Sequence, residues 1–202
     1  MKYLFVSIIS ILLSAGCLAQ NGSLPLNLSL FNESTAIPYT RFFTTPVHPG
    51  IQIGTEFNYQ TKAHSRLFQT ANVYYFYHRY LAQGYGLSTD FGYEYRSNLG
   101  VAFSGLIGVG YLHTFTTAEE FTFSNGKYEK RPDKGNARIT PSLALEAGYY
   151  LKPKETSSSK IFIRYQSWVE YPYSPGFIPL MSHINLHLGF KFFIQKSSQR
   201  ND

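Results

Sequence analysis

Hydrophobic and polar residues alternate along seven stretches of this chain. Apolar or aromatic side chains occupy every second position, and polar or very small ones lie between them. A period of two is typical of β-strands, whose successive side chains point to opposite faces. In six stretches the apolar positions are odd-numbered, and in the last they are even-numbered. The seven predicted strands lie near residues 50–59, 67–81, 85–96, 100–115, 137–151, 160–171 and 182–193.

An eighth, weaker strand is predicted near residues 118–130. Phe121 and Phe123 alternate there, and Asn125-Gly126 has the composition of a hairpin turn. All connections are short enough for antiparallel neighbours, and none has room for a crossover helix. The pattern therefore predicts an all-β, antiparallel, up-and-down β-barrel of eight strands.

The two faces of these strands indicate which side meets lipid. The apolar face carries many large side chains and almost no charge, whereas the other face mixes small residues with charges of both signs. The interior of eight strands is too narrow for that many bulky groups, but a bilayer accepts them on the outside. Each strand also has the roughly 10 residues that a tilted membrane-spanning strand needs. We therefore predict a transmembrane barrel over residues 49–195.

Composition agrees with a membrane barrel. Charged residues make up 15% of the chain, against about 25% in a typical soluble domain. The 17 Tyr and 17 Phe suit β-strands and the belts at membrane interfaces. Basic residues form no continuous stripe, because the densest run, residues 127–134, also contains Glu129 and Asp133. We expect no nucleic-acid partner.

The first 19 residues are predicted to be a secretory signal peptide. Lys2 supplies a positive start, residues 4–13 form an apolar run, and residues 14–19 are mostly small. Cleavage after Ala19 would remove Cys17 and leave a chain without cysteine. Alternatively, Ala15-Gly16-Cys17 resembles a lipoprotein signal, in which Cys17 becomes the lipidated first residue.

Two terminal segments are expected to lie outside the barrel. Residues 20–48 are interrupted by Pro25, Pro38 and Pro46, so we predict an irregular N-terminal arm. Residues 196–202 are predicted to form a polar C-terminal tail.

Residues 49–195 resemble a known class of membrane proteins. The resemblance rests on the strand lengths, the alternation and the aromatic-rich last strand, together with the preceding signal peptide. The chain resembles small bacterial outer-membrane β-barrel proteins of the OmpA-like, eight-stranded class. Residues 188–193 supply the aromatic last strand, and residues 108–115 look like a stretch found in uncharacterised outer-membrane proteins. The resemblance implies residence in the outer membrane, contact with its lipid and lipopolysaccharide, and insertion by the barrel-assembly machinery. One departure is that residues 194–202 continue beyond the aromatic end.

Charged residues on the polar face predict a polar core inside the barrel. Opposite charges confined to a narrow lumen can pair, and small neighbours leave room for them. The same charges could alternatively line a gated ion path. The predicted lumen residues are Glu56, Asp90, Glu94, Arg96, Arg138, Glu146, Arg164, Glu170, His183, His187 and Lys191.

A catalytic hypothesis rests on Ser182, His183, Glu146 and Glu170. These supply the nucleophile, base and carboxylate types of a hydrolase acting on envelope lipids. The His-x-Ser-Asn spacing of lipid A deacylase barrels is absent, since this chain has His183-Ile184-Asn185.

Metal and lipid sites receive little support from the sequence. His183 and His187 lie four residues apart on one strand, about 13 Å, so they cannot chelate one ion together. We predict no metal and no cofactor. Arg138, Arg164 and Lys191 could bind anionic lipopolysaccharide headgroups, although pairing with acidic lumen residues is the simpler expectation. Trp168 has inward parity and is predicted to fill the lumen.

The favoured function is a non-enzymatic structural or interaction role in the outer membrane, including contacts with other envelope proteins. The alternatives are an acyl-modifying enzyme of envelope lipids and a small channel or ligand transporter.

Overall fold

The computed structural model describes residues 23–195 except 118–120, 125, 131–132, 156 and 175. The predicted signal peptide and the predicted tail at 196–202 lie outside the described residues. All ten regular elements are strands, and no described helix is long and apolar enough to cross a membrane. They are β1 Ser23–Thr35, β2 Pro49–Thr61, β3 Ser65–Tyr77, β4 Ala82–Arg96, β5 Val101–Thr116, β6 Phe121–Ser124, β7 Lys127–Lys130, β8 Asn136–Tyr150, β9 Lys160–Glu170 and β10 Met181–Gln195.

Eight of these strands form a closed barrel. Its order is β1-β10-β9-β8-β5-β4-β3-β2, and every neighbouring pair is antiparallel. The remaining two, β6 and β7, pair only with each other in the connection between β5 and β8. The predicted all-β, eight-stranded, up-and-down barrel is therefore confirmed.

Two predicted segments need correction. The arm expected to be irregular contains β1, which runs from Ser23 to Thr35 and closes the barrel against β10. The predicted fifth strand near 118–130 lies outside the barrel, since β6 and β7 have four residues each and form a separate hairpin. Four residues cannot span a bilayer that needs about 9–11. The count of eight was thus right, although one of its members was misidentified.

The direction of the side chains agrees with the predicted apolar exterior. Leu145 and Leu188 are 58% and 62% exposed on the outside, whereas Glu56 and Asp90 are 2% exposed inside. Burial alternates along most of β2, β5 and β8. The strands therefore enclose a polar interior and present hydrocarbon outward, as membrane barrels do.

The barrel has two unlike rims. Connections 36–48, 78–81, 117–135 and 171–180 lie at one end, which we call the long-loop rim. Connections 62–64, 97–100 and 151–159 lie at the other end, the short-turn rim, together with the start of β1 and the end of β10. In outer-membrane barrels the longer loops face the cell exterior.

Glycines make room for large side chains inside the barrel. A Cβ atom on Gly92 would lie 2.5 Å from the ring of Phe68, and one on Gly189 would lie 2.2 Å from the ring of Phe162. Contacts that short do not occur, so each ring occupies space that only glycine leaves free. The predicted complementarity of small and large inward residues is thus built across neighbouring strands.

Candidate functional site

The inward residues of β3 give the order of layers through the lumen. From the short-turn rim they are Arg66, Phe68, Thr70 and Asn72, Tyr74 and Phe76, and then His78 just beyond the strand. This sequence passes from an ion-pair network through a polar middle and an apolar layer to a histidine cluster. Each layer is completed by inward residues of the other strands.

The ion network lies nearest the short-turn rim, and Glu94 is at its centre. The Arg66 Nε lies 2.6 Å from Glu94 Oε1, and the Lys160 Nζ lies 2.7 Å from Glu94 Oε2. The Tyr150 hydroxyl donates a further hydrogen bond to Glu94 Oε1 at 2.7 Å. Glu94 is 1% exposed, so its charge is stabilised by these donors rather than by water.

Two further carboxylates extend the network. Lys160 Nζ also lies 2.5 Å from Glu146 Oε1, and Arg164 Nη2 lies 2.7 Å from Glu146 Oε2. Glu56 Oε2 contacts Arg66 Nη1 at 2.5 Å and Lys191 Nζ at 3.1 Å. The seven ion-network residues are Glu56, Arg66, Glu94, Glu146, Lys160, Arg164 and Lys191. Their shared partners link strands from all sides of the barrel.

Polar side chains fill the middle of the lumen. Asp90 accepts hydrogen bonds from Thr70, Asn72 and Ser142 at 2.9–3.2 Å. A cavity of about 20 Å³ remains, lined by Gln52, Tyr74, Ser88, Thr140, Ser142, Gln166, Trp168 and Asn185. That volume suits about one water molecule.

An apolar layer separates the polar middle from the long-loop rim. Phe31, Phe76, Leu112 and Trp168 are all buried and pack together, with Tyr74 against them. The Trp168 ring stacks on His183 with centroids 4.1 Å apart, and its Nε1 donates to Asn185 Oδ1 at 3.1 Å. The inward position predicted for Trp168 is the one observed.

The histidine cluster lies at the long-loop rim and consists of Glu33, His48, His78 and His183. The His183 Nδ1 lies 2.7 Å from Glu33 Oε1, and the His78 Nε2 lies 4.0 Å from Glu33 Oε2. The rings of His48 and His78 stack with centroids 3.5 Å apart. Glu33 and His183 are at most 1% exposed, and His48 is 6% exposed.

Electrostatics in the cluster favour the neutral form of His78. Burial lowers the pKa of His78 below its usual value of 6.5, and the neighbouring His48 and His183 lower it further, against the raising effect of Glu33. A neutral imidazole has a free nitrogen lone pair. Two buried atoms face this space without a hydrogen-bond partner among the described residues, Glu33 Oε2 and His48 Nε2.

The structure does not assemble the predicted hydrolase site. Ser182 and His183 are consecutive on β10, so their side chains point to opposite faces. The Ser182 hydroxyl donates to the Ala36 carbonyl at 3.0 Å, while Glu170 Oε2 lies 3.3 Å from His183 Nε2. Glu146 belongs to the ion network in another layer. The predicted histidine and one carboxylate meet, but Ser182 does not join them.

His187, another predicted lumen residue, forms a buried polar pair. Its Nδ1 lies 3.1 Å from the Ser29 hydroxyl, and its Nε2 lies 3.2 Å from the amide oxygen of Gln166. A catalytic serine–histidine pair requires a carboxylate behind the base, and Gln166 occupies that position here. His187 therefore satisfies the buried polar groups of Ser29 and Gln166.

The remaining predicted lumen residues lie near the rims. Arg138 Nε is 2.8 Å from Glu170 Oε1, next to the histidine cluster. Arg96 lies at the short-turn rim instead, where Nη2 donates to the carbonyls of Lys152, Pro153 and Glu155 and the guanidinium covers the Tyr150 ring. Arg96 therefore fastens a turn instead of pairing with a carboxylate.

Sequence reasoning missed five residues that the structure brings into these layers. Arg66 and Lys160 are central cations, and Glu33, His48 and His78 form most of the histidine cluster. Even-numbered parity, shared with the inward residues of β2 to β5, β8 and β9, was the available signal for Arg66, Lys160 and His78. Glu33 and His48 lie in the segment 20–48, for which the prolines predict an irregular arm.

Loop 36–48 also covers part of the barrel exterior. The Tyr39 amide donates to the Tyr165 hydroxyl at 2.9 Å, and the Phe42 ring lies 5.3 Å from the Tyr165 ring. Asn32 and Ser34, which have outward parity on β1, contact Thr44 of this loop. Ile37, Phe42 and Phe43 remain more than half exposed. The loop thus adds exposed hydrophobic side chains to the outer wall of the barrel.

Neither a protein-family model nor a curated protein matches this sequence. Solved structures match it in shape. An alignment with the outer membrane enzyme PagL covers 83% of this chain and 98% of that one, with 10% identity and a TM-score of 0.48. Neisserial surface protein A gives 85% and 96%, with 9% identity and 0.48. Ail, the attachment invasion locus protein of Yersinia pestis, gives 86% and 100%, with 14% identity and 0.43.

Proposed function

We propose that this protein is a bacterial outer-membrane β-barrel with a structural or interaction role in the cell envelope, acting neither as an enzyme nor as a channel. The observation that carries the proposal is the filled lumen. A buried ion network and an apolar layer lie one above the other inside a barrel whose outer face is apolar. Such an interior stabilises the barrel, and we therefore expect interactions to take place on its outer surface and rims.

The location follows from the solvent that the outer face requires. Large aliphatic and aromatic side chains cover the outside of the eight barrel strands, and water would not favour that surface. Export by the predicted signal peptide and insertion by barrel-assembly machinery would bring the chain there. Lipid and lipopolysaccharide are then its immediate partners.

An interaction role is supported by exposed rings at the long-loop rim. Phe123 and Tyr128 on the β6–β7 hairpin and Phe177 in connection 171–180 are 64%, 76% and 82% exposed. Exposed apolar surface of this kind marks contact sites for proteins or membranes.

The two alternative functions receive less support. An acyl-modifying enzyme needs a nucleophile near its base, and Ser182 points away from His183. A channel needs a continuous polar path, and Phe31, Phe76, Leu112 and Trp168 interrupt it.

The proposal is tested with the full chain inserted in planar bilayers and produced in the outer membrane of a Gram-negative host. We expect no conductance above that of protein-free bilayers, and no change in the acyl chains of lipopolysaccharide or phospholipid. Ser182→Ala and Thr89→Ala, a matched hydroxyl loss elsewhere, should give the same lipid profile as the wild type. Reproducible conductance steps, or acyl changes abolished by Ser182→Ala, would contradict the proposal. Heat-dependent gel mobility verifies that each sample contains a folded barrel.

A further inference from the structure

Three segments that are distant in sequence bring metal-ligating atoms together at the long-loop rim. Glu33 comes from the end of β1, His48 from the end of loop 36–48, and His78 from the connection after β3. One ligand atom from each lies within 4.8 Å of the other two. We propose that Glu33, His48 and His78 bind a divalent transition-metal ion, with Zn²⁺ as the representative metal.

Burial without partners points to a ligand at this position. Glu33 is fully buried and His48 is 94% buried, yet Glu33 Oε2 and His48 Nε2 have no hydrogen-bond partner among the described residues. Buried polar atoms are nearly always satisfied, because leaving one unpaired costs about 1–3 kcal/mol. A bound cation would satisfy both atoms at once, since each presents a lone pair.

The surrounding hydrogen bonds hold the ligands as metal sites do. His48 Nδ1 donates to the Glu33 carbonyl oxygen at 3.2 Å, which leaves Nε2 as the nitrogen with a lone pair. Metal-bound histidines characteristically donate their second N–H to a carbonyl or carboxylate in this way. In His48, Nδ1 therefore donates the hydrogen bond, and Nε2 is the nitrogen that would bind the metal.

Glu33 is held by a second chain of contacts. His183 Nδ1 lies 2.7 Å from Glu33 Oε1, which leaves Oε2 directed toward His78 and His48. Behind His183 lies Glu170, and behind Glu170 lies Arg138. His183 is thus a positioning residue that fixes the carboxylate from behind. Its own nitrogen atoms are directed at Glu33 and Glu170.

The ligand types select the class of metal. Imidazole nitrogen suits zinc, copper, iron and nickel, whereas calcium and magnesium prefer oxygen alone. Two histidines and one glutamate form the ligand set of many zinc sites that keep a fourth position for water.

Binding requires a small contraction of the site. Tetrahedral zinc with bonds of about 2.0–2.1 Å places its ligand atoms about 3.3 Å apart. Glu33 Oε2 and His78 Nε2 are 4.0 Å apart, and all three ligand atoms lie within 4.8 Å of one another, so each pair must close by at most about 1.5 Å. His78 can supply this movement, since it lies in a four-residue connection. Its 3.3 Å contact from the Tyr80 amide to Nδ1 and its stacking on the His48 ring would be given up, because a metal binds in the plane of each imidazole.

A metal bound here would link three segments that are far apart in the sequence. Loop 36–48 would be fixed to β1 through His48 and to the β3–β4 connection through His78. The long-loop rim would then be closed over the apolar layer by coordination bonds.

The experiment uses the full chain, produced without a polyhistidine tag and folded in detergent micelles. ZnSO₄ is titrated by isothermal calorimetry, and Co²⁺ serves as a spectroscopic probe. We expect one Zn²⁺ per chain and the visible absorption of tetrahedral Co²⁺ with nitrogen and oxygen ligands. His48→Ala and His78→Ala should each weaken binding by more than about 100-fold, since changes behind the ligands already cost about 10–100-fold. His64→Ala is the matched control, because His64 lies at the opposite rim, and it should bind as the wild type does.

Several results would overturn the proposal. These are a wild-type barrel that binds no Zn²⁺ at micromolar concentration, binding that persists in His48→Ala or His78→Ala, and equal loss in His64→Ala. Heat-dependent gel mobility verifies that each variant is folded, and His48→Gln and His78→Gln replace any alanine variant that is not. The wild-type Co²⁺ spectrum needs no variant, so an octahedral or absent spectrum contradicts the site independently.

Discussion

The two charged layers of the lumen differ in how completely their groups are satisfied. In the ion network, each of Glu56, Glu94 and Glu146 contacts at least two cations within 3.1 Å. In the histidine cluster, Glu33 Oε2 and His48 Nε2 are buried, and neither has a hydrogen-bond partner among the described residues. The carboxylates Glu94 and Glu33 are both shielded from bulk water, with 1% and 0% exposure.

This difference separates a structural layer from a binding layer. A fully paired network needs no ligand, and its charges are fixed by one another. A cluster with open lone pairs has capacity left for a ligand. The barrel thus has a layer of paired charges near the short-turn rim and a layer with unsatisfied polar atoms near the long-loop rim.

The largest expected effect comes from breaking the ion network at its centre. Glu94→Ala leaves Arg66 and Lys160 with one carboxylate fewer each and removes the acceptor of the Tyr150 hydroxyl. We expect a loss of about 3–5 kcal/mol in the free energy of unfolding, because a buried ion pair is broken from one side. Urea unfolding in phosphatidylcholine vesicles, followed by Trp168 fluorescence, measures it.

Glu155→Ala is the control for that variant. Glu155 pairs with Lys152 on the surface, where both side chains are more than half exposed, so its loss should cost less than about 1 kcal/mol. Equal effects of the two substitutions would show that the network does not stabilise the barrel.

A smaller effect is expected when the histidine cluster is filled. Zn²⁺ at 100 times its dissociation constant should stabilise the folded barrel by about 2.7 kcal/mol, provided that the unfolded chain does not bind it. The same urea titration with and without ZnSO₄ measures the gain, and Glu94→Ala should show the same gain from its lower starting point. His48→Ala should show none. Stabilisation that is unchanged in His48→Ala would locate the metal elsewhere.

The support behind Glu33 should matter less than the ligands. His183→Ala keeps all three ligands but removes the 2.7 Å contact that orients the carboxylate. We expect about 10–100-fold weaker Zn²⁺ binding, measured by calorimetry, because outer residues of metal sites have effects of this size. His187→Ala removes a buried histidine two inward positions further along β10 and should leave the affinity unchanged. A loss as complete as in His48→Ala would make His183 a ligand.

The smallest expected effect concerns Asp133, which lies in the connection between β5 and β8 at the long-loop rim. Amides of Gly135 and Thr116 donate to Asp133 and hold the pKa of its carboxyl below the usual 3.8. Since the folded pKa is the lower one, the stabilisation is present above about pH 3.8 and is lost as the pH falls through the folded value. Asp133→Asn should cost at most about 1 kcal/mol locally, because the carboxylate is exposed.

Amide hydrogen exchange at Thr116 and Gly135 measures that local loss. Exchange should be faster in Asp133→Asn than in the wild type at pH 5, while the amides of the barrel core remain equally protected. Unchanged protection at both amides would show that Asp133 does not fasten the loop.

The sequence predicted most of the barrel because alternation is a local property. Seven of the eight barrel strands were located from it. The first strand escaped because Pro25 interrupts its start, and because Phe31 points inward while Asn32 and Ser34 point outward beneath loop 36–48. Phe121 and Phe123 imitated a barrel strand, but their alternation belongs to a short hairpin.

The lumen was only partly predictable for a different physical reason. Parity gives the face on which a residue lies, and it placed Glu56, Glu94 and Lys191 inward. The pairing partners depend on register around the closed barrel, which alternation does not encode. Glu33 meets His48 and His78 only because β1 closes the sheet, so missing that strand also removed the histidine cluster from view.

The most direct test of the central claim asks which face of the strands meets lipid. Trp168 is the only tryptophan in the chain and lies inside the lumen. In vesicles of brominated phosphatidylcholine, Trp168 fluorescence should be quenched little. A tryptophan moved to the outer face, by Leu145→Trp in a Trp168→Phe background, should be quenched strongly. Strong quenching of Trp168, with protection at position 145, would show that the apolar face points inward and would contradict the account.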